Sequence, residues 1–300
     1  MKKIIVGSRG SKLALKYAEL SINEIKKIID VSIEHKKINT TGDLILDKRT
    51  SEIGGKGEFI KNVEKELLNE NIDIAVHSLK DMPSLETEGL KLNCFLKRNN
   101  PQEVLISKNN LKLEELKKNS IIGTSSLRRE FQTKHIRPDL KFKLIRGNID
   151  SRIRKLENED YDAIILARAG LETLSFKEKI TEIFDCENVI PSAGQGIIAL
   201  QSRINDLEIN NILKKINHHK TSIEANVERN VLKFIDGDCN TAAGIYSNIK
   251  NNKVRVVAEL FSIDGKKKYK CSFEGPVSDA EGIAKKIGKN LKDQFEKKKL

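Results

Sequence analysis

Short β-branched runs alternate twice with stretches of helical periodicity along the first two thirds of the chain, which is the sequence form of a sheet covered by helices. Residues 4–6 read as the first strand. Behind them Ala14, Ala18, Ile22, Ile25 and Ile29 recur at helical spacing and predict an amphipathic helix over 11–29. Residues 31–38 alternate as a strand, a helix follows over about 59–68, and the apolar run 72–76 is the next strand, turning at His77-Ser78. From about residue 102 the alternation resumes, with strands at 104–106, 121–122, 142–145 and 163–166 and helices between the later ones. These are two α/β units, each expected to hold a parallel sheet, and Lys97-Arg98-Asn99-Asn100-Pro101 has the composition of a linker or hinge between them. After 191–196 the pattern changes to a helix over 221–234, three β runs between Ala243 and Phe273, and a closing helix from Asp279, a small α+β unit. Three hundred residues exceed what one compact core usually serves, in keeping with this division.

The formal net charge of +12 favours anionic partners without choosing among them. Much of the excess is lysine on helix faces and in the tail at 297–299, the usual composition of a solvated surface. Nucleic acid is disfavoured, because aromatics make up only 5% of the chain and are not interleaved with the basic clusters as stacking platforms. The first apolar stretch is too short for a signal-peptide core or a membrane span, so a cytoplasmic location is expected. Cys94, Cys186, Cys239 and Cys271 lie far apart and do not complete a tetrahedral set with the five histidines, so neither a disulfide framework nor a metal site is expected.

Three of the expected strands end in small, polar turns that carry arginine: Gly7-Ser8-Arg9-Gly10-Ser11, Gly123-Thr124-Ser125-Ser126-Leu127-Arg128-Arg129 and Arg146-Gly147-Asn148. In open sheets ligands bind at the carboxyl ends of strands, where helix N-termini offer free N–H groups to anions. Arg128 and Arg129 fall in the first turn of their helix, against the positive end of its dipole, and a placement that unfavourable asks for a compensating role. Arg152, one turn beyond Asn148, reaches toward the same mouth with the side chain best suited to gripping a carboxylate. Any one of these arginines could instead pair with a surface acid. The turn His77-Ser78-Leu79-Lys80-Asp81-Met82-Pro83 sets the carboxylate of Asp81 in this positive neighbourhood, which holds it ionised and available to move protons or to stabilise a cation; capping the turn before Pro83 is the alternative. His77, Ser78 and Asp81 do not make a hydrolase, since no Gly-x-Ser-x-Gly elbow accompanies them. Gly54-Gly55-Lys56-Gly57 lacks the spacing of a phosphate loop, and Gly194-Gln195-Gly196 is half of a dinucleotide fingerprint, so both read as turns or hinges. The acidic flanks of Cys239 raise its thiol pKa and suit an anchor better than a resting nucleophile.

These segments, together with Thr40-Thr41-Gly42-Asp43, Asp73-Ile74-Ala75-Val76, 161–167 and Pro191-Ser192-Ala193-Gly194-Gln195-Gly196, occur in an order that resembles hydroxymethylbilane synthase, also called porphobilinogen deaminase, over essentially the whole chain. The resemblance implies an α/β fold with two domains like type II periplasmic binding proteins around a cleft, and a small α+β domain at the C-terminus. It places the first domain at 1–97 and 197–215, the second at 102–192 and the third at 219–300. It also implies a transferase that joins four porphobilinogen molecules head to tail, releasing ammonia each time, to give hydroxymethylbilane for tetrapyrrole synthesis. The family primes this on a dipyrromethane cofactor held through a cysteine, here Cys239; Asp81 matches its catalytic aspartate. By the same match Arg128, Arg129, Ser126 and Lys80 hold the cofactor, and Arg9, Arg146, Arg152 and Lys56 hold porphobilinogen and the polypyrrole intermediates. A cytoplasmic monomer without metal, membrane or nucleic acid, in transient contact with the next pathway enzyme, completes the expectation. Two positions depart from the pattern: no Pro follows Cys239, and Thr173 stands where some members carry an arginine, with Arg168 nearby.

Overall fold

The computed structural model describes residues 3–39, 60–237 and 241–296. The chain opens with β1 (Ile4–Arg9), α1 (Lys12–Lys26), β2 (Ile33–Ile38), α2 (Lys61–Leu68) and β3 (Ile74–Ser78), then a 3-10 turn at Leu79–Asp81 and β4 (Leu90–Phe95). Ser11 starts α1 by accepting a hydrogen bond from Ala14 N, satisfying one of the donors a helix start leaves open. A second series follows: β5 (Glu103–Ser107), β6 (Ile121–Gly123), α3 (Leu127–Ile136), β7 (Lys141–Lys143), α4 (Ile149–Asn158), β8 (Ala163–Ala167), α5 (Arg168–Thr173) and β9 (Glu182–Ile183). The chain then runs through β10 (Ile198–Arg203), α6 (Leu207–Ile216) and α7 (His219–Phe234) into β11 (Ala243–Lys250), β12 (Lys253–Phe261), β13 (Lys268–Pro276) and α8 (Ala280–Glu296).

Three sheets result, in the orders β2-β1-β3-β10-β4, β7-β6-β8-β5-β9 and β11-β12-β13. The first two form the two lobes, and both are mixed rather than parallel. β10 lies antiparallel between β3 and β4, with Leu200 opposite Val76, and β5 lies antiparallel between β8 and β9. Local periodicity carries no strand direction, so an apolar run reads the same either way. The middle strands are buried on both faces, which is why β3 and β8 are nearly continuous apolar runs.

Two crossings join the lobes side by side. Leu96 N donates to Ile198 O at 3.0 Å, and Asn99 N to Gly196 O at 2.8 Å. Gly196 has φ +82°, and a Cβ there would stand 2.6 Å from Asn99 O, so only glycine permits this approach. The buried Arg98 side chain in one crossing donates to Gln195 O in the other and to Glu228 of α7, which also accepts from Gly194 N. The three-stranded sheet packs one face on α7 and α8, with Val254, Val256, Val231, Ile287 and Leu291 in its core. It docks on the second lobe through Phe131 and Phe261, rings 5.8 Å apart, and through Gln132 and Glu259. No helix of the described residues is long and apolar enough to cross a membrane.

Candidate active site

The carboxyl ends of β1, β3 and β6 and the starts of α1, α3 and α4 converge on one cavity of about 1160 Å³ between the lobes. Arg9 enters it from the end of β1. Lys80 and Asp81 come from the 3-10 turn after β3, whose backbone closes with Met82 N donating to Leu79 O at 3.0 Å. From the second lobe come Ser126, Arg128, Arg129, Arg146 and Arg152, so all these residues named from the sequence line one cavity. Lys56 and Cys239 lie outside the described residues, although Leu232, Thr241 and Ala243, on either side of the Cys239 loop, line the same cavity.

Ser126 caps α3 by accepting from Arg129 N, which turns two consecutive arginines inward at the helix start. Beneath them sits Glu103, fully buried at the start of β5: its Oε1 is 2.6 Å from Arg128 Nη2 and its Oε2 is 2.8 Å from Arg129 Nη2. Burial works to raise the Glu103 pKa, but Arg129, Arg128 and Lys80 overcome it and hold the group at about 2. One carboxylate thus serves two guanidiniums, which offsets their unfavourable place on the helix dipole while leaving the pair cationic. Their roles divide. Arg128 also donates to Ile190 O at 2.9 Å and to Gln132, so it ties the wall together. Arg129 donates to Ile165 O, yet its buried Nε has no hydrogen-bond partner among the described residues.

Arg152 Nε donates to Gly147 O at 2.8 Å, which points the side chain back over the turn of Arg146. Burial, followed by the charges of Arg129 and Arg146, pushes the Arg152 pKa down to about 10 against the opposing pull of Asp81. Burial lowers Arg146 as well. Arg129 and Arg146 stand close enough for their charges to act on Arg152, and the three guanidiniums form a site built for negative charge. Arg168 takes no part, since its Nε pairs with Glu172 at 2.7 Å and it lines a separate shallow depression, so it does not stand in for an arginine at Thr173.

Two residues of the site, Gln195 and Glu103, went unnamed as site residues in the sequence. Gln195, read from the sequence as part of a flexible turn, is fully buried; its Oε1 accepts from Lys80 Nζ at 3.3 Å and its Nε2 donates to Pro101 O at 2.7 Å, fixing Lys80 to the hinge. Glu103 could have been noticed as a charge opening an otherwise buried apolar strand. Below the site, His77 contacts Gln201 Oε1 at 3.1 Å, Gln201 donates to Glu64 at 2.8 Å, and Thr87 donates to Glu64 at 2.7 Å. Burial lowers the His77 pKa to about 4, outweighing Glu64. The unfolded chain, with its histidine near 6.5, takes up the proton first as the pH falls. Stability is therefore full above pH 6.5 and drains away toward pH 4, on the order of 3 kcal/mol for this group. Urea unfolding at pH 7 and pH 5 should show this loss, reduced in His77→Asn; equal losses in both proteins would assign it elsewhere.

Two lobes meeting at an arginine-walled cleft, with the Asp81 carboxylate among the cations, define a protein that binds a small polyanionic ligand for chemistry at that carboxylate. The family model described as "Porphobilinogen deaminase, dipyromethane cofactor binding domain" matches residues 4–211, and that described as "Porphobilinogen deaminase, C-terminal domain" matches 222–293. The chain belongs to the porphobilinogen deaminase family. It is 43% identical over 298 residues to the porphobilinogen deaminase of Staphylococcus epidermidis, covering 98% of this chain and 96% of that one. The identity is 42% over 297 residues with that of Staphylococcus carnosus, covering 98% and 96%, and 41% over 292 residues with that of Alkaliphilus metalliredigens, covering 97% and 92%. Among solved structures, the periplasmic aliphatic sulphonate binding protein of Escherichia coli aligns at 11% identity over 78% of this chain and 70% of that one, with a TM-score of 0.44.

Proposed function

We propose that the chain joins four porphobilinogen molecules head to tail, with loss of ammonia at each step, to give hydroxymethylbilane for tetrapyrrole biosynthesis. The observation that carries this reading is the place of Asp81, in a cavity it lines together with Arg9, Lys80, Arg129, Arg146 and Arg152. Each porphobilinogen brings an acetate and a propionate, and guanidiniums hold such groups through paired, charge-assisted hydrogen bonds. Arg9, Arg146 and Arg152 would grip these carboxylates, with Lys56 as a further contact, and so fix the aminomethyl group at Asp81. Asp81 would assist departure of the amine as ammonia and stabilise the positive charge left on the pyrrole nitrogen. It would then take the proton released when the next ring is joined.

Dipyrromethane fits the same wall. It is a polycarboxylate, the Nε of Arg129 is a buried donor without a hydrogen-bond partner among the described residues, and residues flanking Cys239 line the cavity. Held through Cys239, it would supply the pyrrole to which the first substrate is joined. Ser126, Lys80, Arg128 and Arg129 would hold its carboxylates, Arg128 chiefly by fixing the wall. Domains at 1–97 with 197–215, 102–192 and 219–300 complete the proposal, as a cytoplasmic monomer that meets the next pathway enzyme transiently. Cys94, Cys186 and Cys271 are free thiols, as a reducing compartment requires.

Incubation with porphobilinogen tests the function: its consumption should be matched by uroporphyrin after acidification and oxidation, and no turnover by cofactor-bearing protein would overturn the reading. The denatured protein should exceed its sequence mass by two pyrrole units, and Cys239→Ser should remove both that mass and the activity. An active enzyme of unmodified mass would rule out the anchor.

A further inference from the structure

Arg229 on α7 is buried, yet it is not among the residues that line the cavity, and the chemistry proposed above does not use it. Burying a guanidinium is costly unless its N–H groups meet acceptors. Its Nη1 donates to Pro83 O at 3.0 Å and its Nη2 reaches Ser84 O at 3.5 Å, while the Glu86 carboxylate stays 3.9 Å away, beyond a direct hydrogen bond. What this buried charge grips is the backbone that follows Asp81, and Met82, Pro83 and Ser84 of that segment line the cavity.

The rest of α7 serves the same contact. Ala225, Arg229 and Leu232 recur at the spacing of one helix face. Ala225 packs in one cluster with Leu79 and Met82, the residues on either side of Lys80-Asp81, and Leu232 lines the cavity. Beyond the helix, Asp236 takes φ +50° and Gly237 N donates to Leu232 O at 2.9 Å, the closure of a left-handed helix cap. Gly237 O in turn accepts from Ser84 Oγ at 3.2 Å. Gly237 stands two residues before Cys239 in the sequence, and Ser84 three after Asp81. The end of α7 is therefore bound to the segment leaving Asp81, and it is also the approach along the chain to Cys239.

We infer that Arg229 is a positioning residue: with Ser84 it ties the segment after Asp81 to the end of α7, and so fixes the span between the Asp81 carboxylate and the point from which the chain runs to Cys239. The inference rests on the roles proposed above for Asp81 and Cys239. In that reading the acceptor is tethered through Cys239 and every ring is joined at Asp81, so the span between them decides how well the reacting groups meet. Arg229 does this without gripping substrate carboxylates, a task that falls to Arg9, Arg146 and Arg152, all outside α7.

The test uses Arg229→Gln, Ser84→Ala and Ser84→Thr proteins shown by mass to carry the cofactor, with porphobilinogen turnover and amide hydrogen exchange over residues 79–86. Arg229→Gln is expected to lower kcat by about tenfold or more with little change in KM, since a misplacement of about 1 Å at a reacting centre costs on the order of a hundredfold. Exchange over 79–86 should quicken without substrate, while β8 and α4 of the second lobe exchange as in the parent. Ser84→Ala should show a smaller loss of the same kind, and Ser84→Thr, which keeps the hydroxyl, should behave as the parent. Parent kcat in Arg229→Gln overturns the inference, as does a rise in KM that accounts for the loss. Faster exchange spread over the whole chain overturns it too, because it marks a support of the fold alone. Should Arg229→Gln not fold, Ser84→Ala decides: parent kcat and exchange there remove the tie. A cofactor-bearing parent without turnover would sink the functional reading instead, and exchange over 79–86 would still decide whether the tie exists.

Discussion

Asp81→Asn is expected to keep the fold and the cofactor and to lower turnover at least a hundredfold, in the range that positioned proton transfer contributes. Asparagine has the shape of aspartate but carries no charge and accepts no proton at neutral pH, so both proposed tasks fail together. The turn itself does not depend on the carboxylate, because it is closed through the backbone of Leu79 and Met82. Removing the Asp81 carboxylate from a cavity lined by Arg9, Lys80, Arg146 and Arg152 also leaves those cations closer to net repulsion, which an added anionic ligand relieves. Binding of porphobilinogen should therefore survive or tighten while ammonia release stops. Ammonia release and the thermal midpoint, measured on one preparation, check this. Turnover within tenfold of the parent, with an unchanged midpoint, would remove Asp81 from the chemistry.

The parts of this site legible in the sequence are those that depend on neighbours along the chain. The helix over 11–29 and the one whose first turn holds Arg128 and Arg129 read from their local pattern, and in the structure Ser11 and Ser126 cap them. The arginine-bearing turns read as an anion pocket because strand ends share one edge of a sheet. What escaped depends on partners far apart in sequence. β10 joins the first sheet between β3 and β4 more than a hundred residues after them, and its Gln201 meets His77 with no spacing rule to announce it. Glu103 gains its meaning only from arginines 25 and 26 residues further on, and Gln195 from Lys80. β7 stops at Lys143 rather than continuing to Ile145, because Ile145 leaves the sheet to pack with Ile153, Leu156 and Tyr161. The resemblance to a known family bridged most of these gaps, while the division of labour between Arg128 and Arg129 needed the geometry.

Glu228→Gln is expected to be the most destabilising single change of those considered, by about 3–5 kcal/mol, the cost of leaving a buried charge without its partner. Glu228 is fully buried and receives five donors: Arg98 Nη1 at 2.6 Å and Nη2 at 3.2 Å, Gly194 N at 2.7 Å, and Ser247 N and Oγ at 2.7 and 3.0 Å. Burial works to discharge Arg98, and Glu228, followed by Glu224, overcomes it and raises its pKa. Glutamine offers one acceptor in place of two and turns an N–H toward groups that already donate, while Glu224 stands 3.9 Å from Arg98. Because Arg98 lies in one crossing and Gly194 in the other, the loss falls on the hinge that lets the lobes meet, so activity should fall along with stability. A thermal midpoint lower by about 10 °C is the expected reading for a chain of this size, and it should change little with salt because the pair is shielded from ions. Arg98→Met in the same background should restore part of the loss, since no charge then remains buried. A Glu228→Gln protein within 1 kcal/mol of the parent, in the range of an ordinary surface change, would mean that Gln195 O and Ser247 O alone satisfy Arg98, and that the hinge is held by its backbone rather than by this ion pair.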